Sequence, residues 1–195
     1  MTIIYVDRES HTTDSRLVVP TVQLRDNRQV VAGAEQPLIV RDDAIQSVID
    51  GKTFYVFKTY RTAAPLAVGA SIDIVVTSAP GKNLGIGYIA ECGGNAELTV
   101  SEGVTNIVGG DIFIPFNRNR GSNLISTTGV LINPTSLTLG TTVYEDLILG
   151  GATGNAAGAA VRGDYALLDD VSYLFRLTNV TAQAHIASLA IQWVE

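Results

Sequence analysis

Two arginines alternate with two asparagines at residues 117–120, in a chain with only 13 lysines and arginines among 195 residues. Side chains of an extended strand point alternately to opposite faces, so Arg118 and Arg120 share one side and Asn117 and Asn119 the other. Guanidinium groups bind carboxylates and carbonyl oxygens through directed hydrogen bonds. Three uses remain open: a solvated edge or loop, an inter-subunit clamp onto carboxylates or carbonyls, and a ligand or glycan contact.

Gly51, Lys52 and Thr53 resemble the end of a phosphate-binding loop. That motif needs a glycine five positions before Gly51, where this chain has Gln46, and a helix that follows the lysine. Residues 54–57 have the composition of a strand instead. We therefore predict no nucleotide site.

Gly85, Gly87 and Ala90 match a loose dinucleotide-binding fingerprint with alanine in its third place. The strand–helix–strand context of that fingerprint is missing, which favours glycines in a tightly packed strand. Cys92 is the single cysteine, so no intramolecular disulfide forms, and it is expected to be a buried, small, apolar residue.

Carboxylate pairs at residues 42–43 and 169–170 do not predict an acid–base dyad, because adjacent strand residues point to opposite faces. His11 and His185 are far apart, and together with one cysteine they supply no zinc-ligand spacing. His185 is expected to be structural. We predict no enzymatic activity, no metal and no cofactor.

Hydrophobic residues make up 46% of the chain and charged residues 16%, whereas about 25% charged is usual. Neutral polar groups must cover such a surface, or another chain must cover part of it. A net charge of −6 argues against nucleic-acid or membrane adhesion as the main activity. The first seven residues lack the basic start and long apolar run of a secretory signal, so we expect folding in a reducing cytoplasm.

Residues 1–44 are expected to form an extended N-terminal arm, followed by a body at residues 45–195. The arm is rich in charge but contains short strand-like runs. We predict that it packs on its own body or on a neighbour, with a frayed terminus as the alternative. The contact residues expected in these runs are Ile3, Tyr5, Leu17 and Val19.

From residue 45 onward the pattern is one of short strands and turns. Asp50 and Gly51 separate strand-like runs at 47–49 and 53–57, which indicates a hairpin because glycine accepts positive φ. A helix over residues 42–49 fits equally well.

Further predicted strands share alternating apolar residues and turn residues at their ends. They cover residues 71–77, 84–91, 96–101, 124–128, 141–149, 173–178 and 184–194. The expected inward row of the last strand consists of Ile186, Leu189, Ile191 and Trp193. About eight strands at roughly ten-residue spacing predict an all-β, antiparallel β-sandwich or barrel.

Three smaller features complete the expectation. Residues 162–170 could form a helical turn, and the glycine- and alanine-rich residues 150–160 are expected to form a surface loop or close packing around a symmetry axis. The similar pieces at 99–102 and 142–145, both Thr-Val-x-Glu, suit equivalent strands in the paired sheets.

Several segments between residues 45 and 195 follow the order found in one family. In chain order they are Ile-Asp-Gly-Lys-Thr-Phe (49–54), Thr-Val-Ser-Glu-Gly (99–103), Asn-Arg-Asn-Arg (117–120), Thr-Val-Tyr-Glu (142–145), the Gly-rich insert, Ser-Tyr-Leu-Phe-Arg-Leu-Thr-Asn (172–179) and Gln-Trp-Val-Glu (192–195). This ordered set resembles tailed-bacteriophage virion structural proteins of the jelly-roll head-decoration or cement type.

The resemblance implies a jelly-roll-like β-sandwich that forms homotrimers and binds the major capsid protein at the surface of the virion. It also implies synthesis in the host bacterial cytoplasm, no enzymatic activity, and an arm that grips the shell or a neighbour. Asn117, Arg118, Asn119 and Arg120 are then expected at a subunit or capsid interface. The competing hypothesis is a tail-associated β-sandwich module that binds a receptor or glycan through exposed loops.

Overall fold

The computed structural model describes residues 21–23, 29–31, 43–82, 84–150 and 161–195, with side chains from residue 45 onward except 83 and 151–165. The chain divides into two compact units, residues 1–42 and 43–195. In the first unit, β1 (Thr21–Gln23) pairs with β2 (Gln29–Val31) as an antiparallel two-stranded sheet.

Several expectations fall outside the described residues. They concern the packing of the N-terminal arm, the Gly-rich segment from residue 151 to 160, and the predicted contact residues Ile3, Tyr5, Leu17 and Val19. In the part of the chain that the structure does describe, no helix is both long and apolar enough to cross a membrane.

The second unit begins with helix α1 (Asp43–Ile49), so the helical alternative is correct and the predicted hairpin is wrong. Gly51 does take a positive φ of 72°, but it ends the helix rather than turning a hairpin. The Gly51 amide donates to the Val48 carbonyl at 3.0 Å and the Lys52 amide to the Ser47 carbonyl at 2.9 Å. These two bonds satisfy carbonyls of the last helical turn in the pattern of a Schellman cap.

Thirteen further strands follow α1, and eight of them have seven to nine residues. In chain order they are β3 (Thr53–Tyr60), β4 (Ser71–Thr77), β5 (Leu84–Cys92), β6 (Ala96–Glu102), β7 (Thr105–Val108), β8 (Asp111–Ile112), β9 (Phe116–Asn117), β10 (Gly129–Ile132), β11 (Ser136–Thr138), β12 (Thr141–Ile148), β13 (Val161–Leu167), β14 (Ser172–Asn179) and β15 (Ala187–Val194).

The long strands form two antiparallel sheets with jelly-roll topology. One sheet has six strands in the order β12-β6-β14-β4-β10-β8, and the other has five in the order β13-β5-β15-β3-β9. Taken without the short strands β7 to β11, the eight long strands alternate between the sheets from β3 to β6, remain in the six-stranded sheet at β12, and alternate again through β15. Two interleaved Greek keys of this kind define a jelly roll, so the predicted sandwich is confirmed.

The core lies between the sheets and contains alternate side chains of β5, β6, β14 and β15 together with buried residues of β3 and β4. In β15, Leu189, Ile191 and Trp193 are fully buried, as predicted, and the Trp193 ring stacks on Phe54 with centroids 6.4 Å apart. Ile186 was wrongly assigned to this row, since it is 51% exposed. It precedes the strand and is an odd number of positions from the buried residues, so it falls on the opposite face.

The two Thr-Val-x-Glu pieces are neighbours in one sheet rather than equivalents in two. They lie on β6 and β12, with Thr142 opposite Ser101 and a bulge before the next pair. The return of the chain to β6 requires Gly140, because a Cβ there would lie 1.7 Å from the Glu102 carbonyl oxygen.

Two other predicted elements are wrong. Residues 162–170 contain most of β13, which pairs with β5 over its full length, so the proposed helical turn is replaced by a strand. Residues 124–128 form no strand. Their polar groups bond instead to one carboxylate, that of Glu195.

The Glu195 side chain accepts hydrogen bonds from an irregular segment and from the indole. Its donors are the hydroxyl of Ser126, the amide and hydroxyl of Thr127 and of Thr128, and Nε1 of Trp193 at 3.0 Å. Burial of the carboxylate raises its pKa, but these hydrogen bonds outweigh burial and lower the pKa from 4.5 to about 2. This carboxylate attaches the segment before β10 to the end of β15.

One outer face of the sandwich is partly covered. Strands β7 and β11 pair with each other, and Val104, Ile107 and Leu137 of this insertion pack on Val75 and Leu174 of the six-stranded sheet. The latter two residues are almost completely buried although they point away from the main core. The outer face of the five-stranded sheet has no equivalent cover within the described residues.

We predict that Glu195→Gln lowers the free energy of unfolding at pH 7 by about 1–2 kcal/mol, after allowance for solvent screening of a partly exposed carboxylate. Because the folded pKa is depressed, the stabilisation is fully present above about pH 4.5 and is lost as the pH falls through about 2. Urea unfolding at pH 7 and pH 3 measures the difference. The exposed Glu91→Gln is the control, and an equal loss at both pH values would contradict the assignment.

Candidate functional site

A groove runs across the outer face of the five-stranded sheet where its strands carry small side chains. Gly87 of β5 and Ala190 of β15 lie at its floor, with Gln192 beside them. Its volume is about 810 Å³. Because residues alternate, the strands that fill the core with large side chains present these small ones to the outside.

Aromatic residues form a cluster at the β3 side of the groove. Tyr55 and Phe57 point outward from β3, and Phe116 of β9 lies opposite Tyr55 in the strand register. The ring centroids of Tyr55 and Phe116 are 5.5 Å apart, and those of Phe113 and Phe116 are 5.3 Å apart. Phe113 also packs on the core, so the cluster is anchored while Phe57 remains exposed.

The two arginines of residues 117–120 both line the groove. The Arg118 guanidinium donates to Oε1 of Gln192 at 2.9 Å, and that of Arg120 lies 5.8 Å from the centroid of the Phe116 ring. Among the described residues neither arginine has an ion pair with a carboxylate. Arg176 shows the contrast, since it binds Asp73 through two hydrogen bonds of 2.6 and 2.7 Å. The groove is therefore a basic surface whose two guanidinium groups are available to bind carboxylates.

The two asparagines serve the fold rather than the groove. The side-chain Nδ2 of Asn117 donates to the Gly51 carbonyl at 2.7 Å, and Nδ2 of Asn119 donates to the Ile49 carbonyl at 2.7 Å. The side-chain Oδ1 of Asn119 accepts the Gly121 backbone amide. Strand β9 ends at Asn117, so the extended strand predicted for residues 117–120 is a strand end and a turn. The separation of arginines from asparagines nevertheless holds.

Sequence reasoning missed the crossing segment, residues 111–125, which leads from β8 at the edge of one sheet to β9 at the edge of the other. Ile112, Ile114 and Ile125 are 84%, 74% and 78% exposed, and Leu124 is also exposed. The available signal was an uninterrupted apolar run at residues 112–114. Such a run places apolar side chains on both faces of an extended chain, and only Phe113 faces the core.

The other candidates for chemistry have structural roles. Lys52 follows a helix instead of preceding one, and Gly85 and Gly87 lie within strand β5, as predicted. The His185 ring lies over Gly94, where a Cβ would be 2.4 Å from its Cδ2 atom. Cys92 is buried, as predicted.

The carboxylates bring no further site together. Asp169 caps a turn by accepting the Lys82 amide at 3.2 Å. Within the described ranges, no three histidine, cysteine, aspartate or glutamate side chains are placed to hold one metal ion.

We predict that alanine lowers the free energy of unfolding when it replaces an asparagine of this segment and has little effect when it replaces an arginine. Asn119→Ala removes bonds to two backbone groups and should lower the free energy of unfolding by about 1–3 kcal/mol. Arg118→Ala and Arg120→Ala remove only exposed contacts and should change it by less than about 0.5 kcal/mol. Urea denaturation of the variants measures this, and a larger loss for the arginine variants would contradict the division of roles.

Comparison of the chain with protein-family models, curated proteins and solved structures finds no match. The groove, the crossing segment and the order of the sequence motifs therefore carry the functional argument.

Proposed function

We propose that the chain is a non-enzymatic phage virion structural protein, which decorates and stabilises the capsid. In this proposal its jelly-roll bodies associate symmetrically as trimers, and residues 1–44 act as an arm that contacts the shell of major capsid protein or a neighbouring copy. The resemblance of the ordered motifs over residues 45–195 suggests the class. The exposed apolar crossing segment is the observation that carries the proposal.

The crossing segment is unfavourable on an isolated monomer. Ile112, Ile114 and Ile125 each expose about three quarters or more of their surface, and they lie on one connection of fifteen residues. Complete burial of an aliphatic side chain of this size contributes about 1.5–3 kcal/mol. Ile112 and Ile114 are only two positions apart, and neighbouring exposed apolar side chains are typical of protein contact sites. A protein that functions as a subunit of an assembly gains this energy when the segment is covered.

Stabilisation of a capsid by such a protein follows from mass action. A protein that binds only the assembled shell lowers the free energy of that shell by RT ln(1 + [L]/Kd) for each site. The basic groove adds directed contacts, because arginine binds carboxylates and carbonyl oxygens of a neighbour with defined geometry. No bond-breaking chemistry is required of any residue in this mechanism.

Glycan binding by a tail-associated module is the competing function, and the aromatic cluster at Tyr55, Phe57 and Phe116 is the observation in its favour. Saccharides commonly stack on exposed aromatic rings. Trp193, however, is buried in the core, so the single tryptophan is not part of such a surface. A glycan array probed with the intact protein distinguishes the two, since saturable binding of a defined saccharide would favour this function.

We predict that the purified protein forms an oligomer, with a trimer at three times the 20.6 kDa of one chain, at micromolar concentration. Substitution of both Ile112 and Ile114 by aspartate should shift the equilibrium toward monomer, because the covered side chains become charged. Size-exclusion chromatography with light scattering measures the mass. Val68→Asp with Val180→Asp, exposed apolar residues elsewhere, is the matched control and should leave the mass unchanged.

Binding to empty heads of the encoding phage tests the capsid part of the proposal. We expect the wild-type protein to sediment with empty heads and to raise their resistance to heat or chelator. Protein that is monomeric at micromolar concentration and that does not sediment with heads would contradict the proposed function.

A further inference from the structure

An acidic patch lies on the other sheet, at its β12 edge. It consists of Glu97 on β6 and of Glu145 and Leu147 on β12. Leu147 lies opposite Glu97 in the strand register, and Glu145 occupies the same face two residues earlier. These residues border a shallow depression of about 400 Å³. The patch therefore combines two carboxylates with one large aliphatic side chain, which is 54% exposed.

The two glutamates of the acidic patch have no hydrogen-bond or ion-pair partner among the described residues. Asp146 differs from them, since its carboxylate accepts the Tyr144 hydroxyl at 2.9 Å and the Leu147 amide at 2.8 Å. The neighbouring aspartate thus supports the local backbone, while the two glutamates retain their full capacity for charged contacts.

The groove and the acidic patch complement each other in charge. The groove has two exposed guanidinium groups without a carboxylate, and the patch has two carboxylates without a cation. The groove is lined by Gly87, Ala190 and Ile89, and the patch contributes the exposed Leu147 as an apolar side chain that can pack on them. Because the chain has a net charge of −6, two copies repel each other overall. The basic groove therefore attracts the acidic patch of another copy locally.

We propose that the groove binds the acidic patch of a second copy of this chain. Leu147 of one copy lies over Ala190 of the next, and the patch carboxylates pair with Arg118 and Arg120. This inference rests on the proposed function only in requiring that the chain assembles with itself. It identifies the partner surface of the two arginines, which the sequence leaves open.

The contact has a definite symmetry because the two surfaces lie on different sheets of one subunit. Each copy offers one groove and one acidic patch, so the contact is heterologous and repeats from head to tail. A ring that closes, such as a trimer, fills every groove and leaves no patch free. The apolar contact at Leu147 supplies affinity, while the ion pairs set orientation and make association sensitive to salt.

Charge reversal tests the pairing. Arg118→Glu with Arg120→Glu, or Glu97→Arg with Glu145→Arg, should weaken self-association at least tenfold in sedimentation-velocity titrations, because like charges then face each other. The variant with all four substitutions should recover most of the wild-type affinity. Lys52→Glu with Lys82→Glu alters net charge as much as the arginine reversal does and is the control that should have little effect.

A disulfide across the contact gives a second measurement that does not depend on charge. Cys92 is the only cysteine of the chain and is buried, so any intermolecular disulfide will join the introduced cysteines. Ala190→Cys combined with Leu147→Cys should form intermolecular disulfides, seen as a ladder on a non-reducing gel, whereas either single substitution should not. Ala190→Cys with Val68→Cys is the matched control.

The outcomes separate this inference from the proposed function. A wild-type oligomer that survives both charge reversals, with no cross-linking specific to positions 147 and 190, would overturn the pairing and leave the proposed assembly role intact. Charge reversals that dissociate the oligomer without recovery in the four-substitution variant would also overturn it. A wild-type protein that is monomeric and does not bind heads would contradict the proposed function itself.

Discussion

Packing of the inward side chains of β15 between the two sheets is the interaction on which the other features depend. Leu189, Ile191 and Trp193 are buried between sheets, and β15 pairs with both β3 and β5. Because strand residues alternate with a period of two, this row determines that Ala190 and Gln192 point outward. A slip of one residue would move the indole to solvent and fill the groove with core side chains. The candidate site thus consists of outward side chains of the same strands whose inward side chains form the core.

Polar side chains in the body fall into two classes: those that bond to other parts of the fold, and exposed ones that make few contacts. Glu195, Asn117 and Asn119 each satisfy backbone or side-chain groups that would otherwise be left without partners, and they connect irregular segments to strands. Arg118 and Arg120 do not: their contacts are a single amide oxygen and an aromatic ring. Removal of the Arg118 or Arg120 side chain should therefore change the free energy of unfolding little, because no other group of the fold loses a necessary partner.

The sequence predicted the strands that have one buried and one outward face. Residues 84–91 and 96–101 alternate and form strands close to the predicted bounds, and residues 71–77 also form their predicted strand although both faces of its middle are buried. The same reasoning failed where one local sequence feature is compatible with two different structures. Gly51 supplies a positive φ that suits both a hairpin and a helix cap, and only the hydrogen bonds of α1 distinguish them.

The site itself was less predictable than the strands. Its floor and walls come from β5, β15 and β3, which are adjacent in the sheet but distant in the chain, so no local pattern brings their outward residues together. Residues 124–128 were misassigned for a related reason, because their partner is a side chain about 70 positions away. The alternation of arginine and asparagine at residues 117–120 did predict that the two residue types point in different directions, but it did not predict that the asparagines bond to the backbone at residues 49 and 51.

The distribution of cover over the two sheets explains how one jelly roll can make directional contacts. The β7–β11 insertion covers Val75 and Leu174 on one outer face but leaves the β12 edge of that face open, with Glu97, Glu145 and Leu147 on it. The outer face of the other sheet carries Gly87 and Ala190, whose small size leaves room beside Tyr55 and Ile89 for a side chain of a neighbouring copy. Two different surfaces on one subunit favour a head-to-tail contact over a two-fold one. The crossing segment contributes Arg118 and Arg120 to this contact and also carries the exposed Ile112 and Ile114, so one stretch of chain supplies both charged and apolar side chains to the proposed self-association.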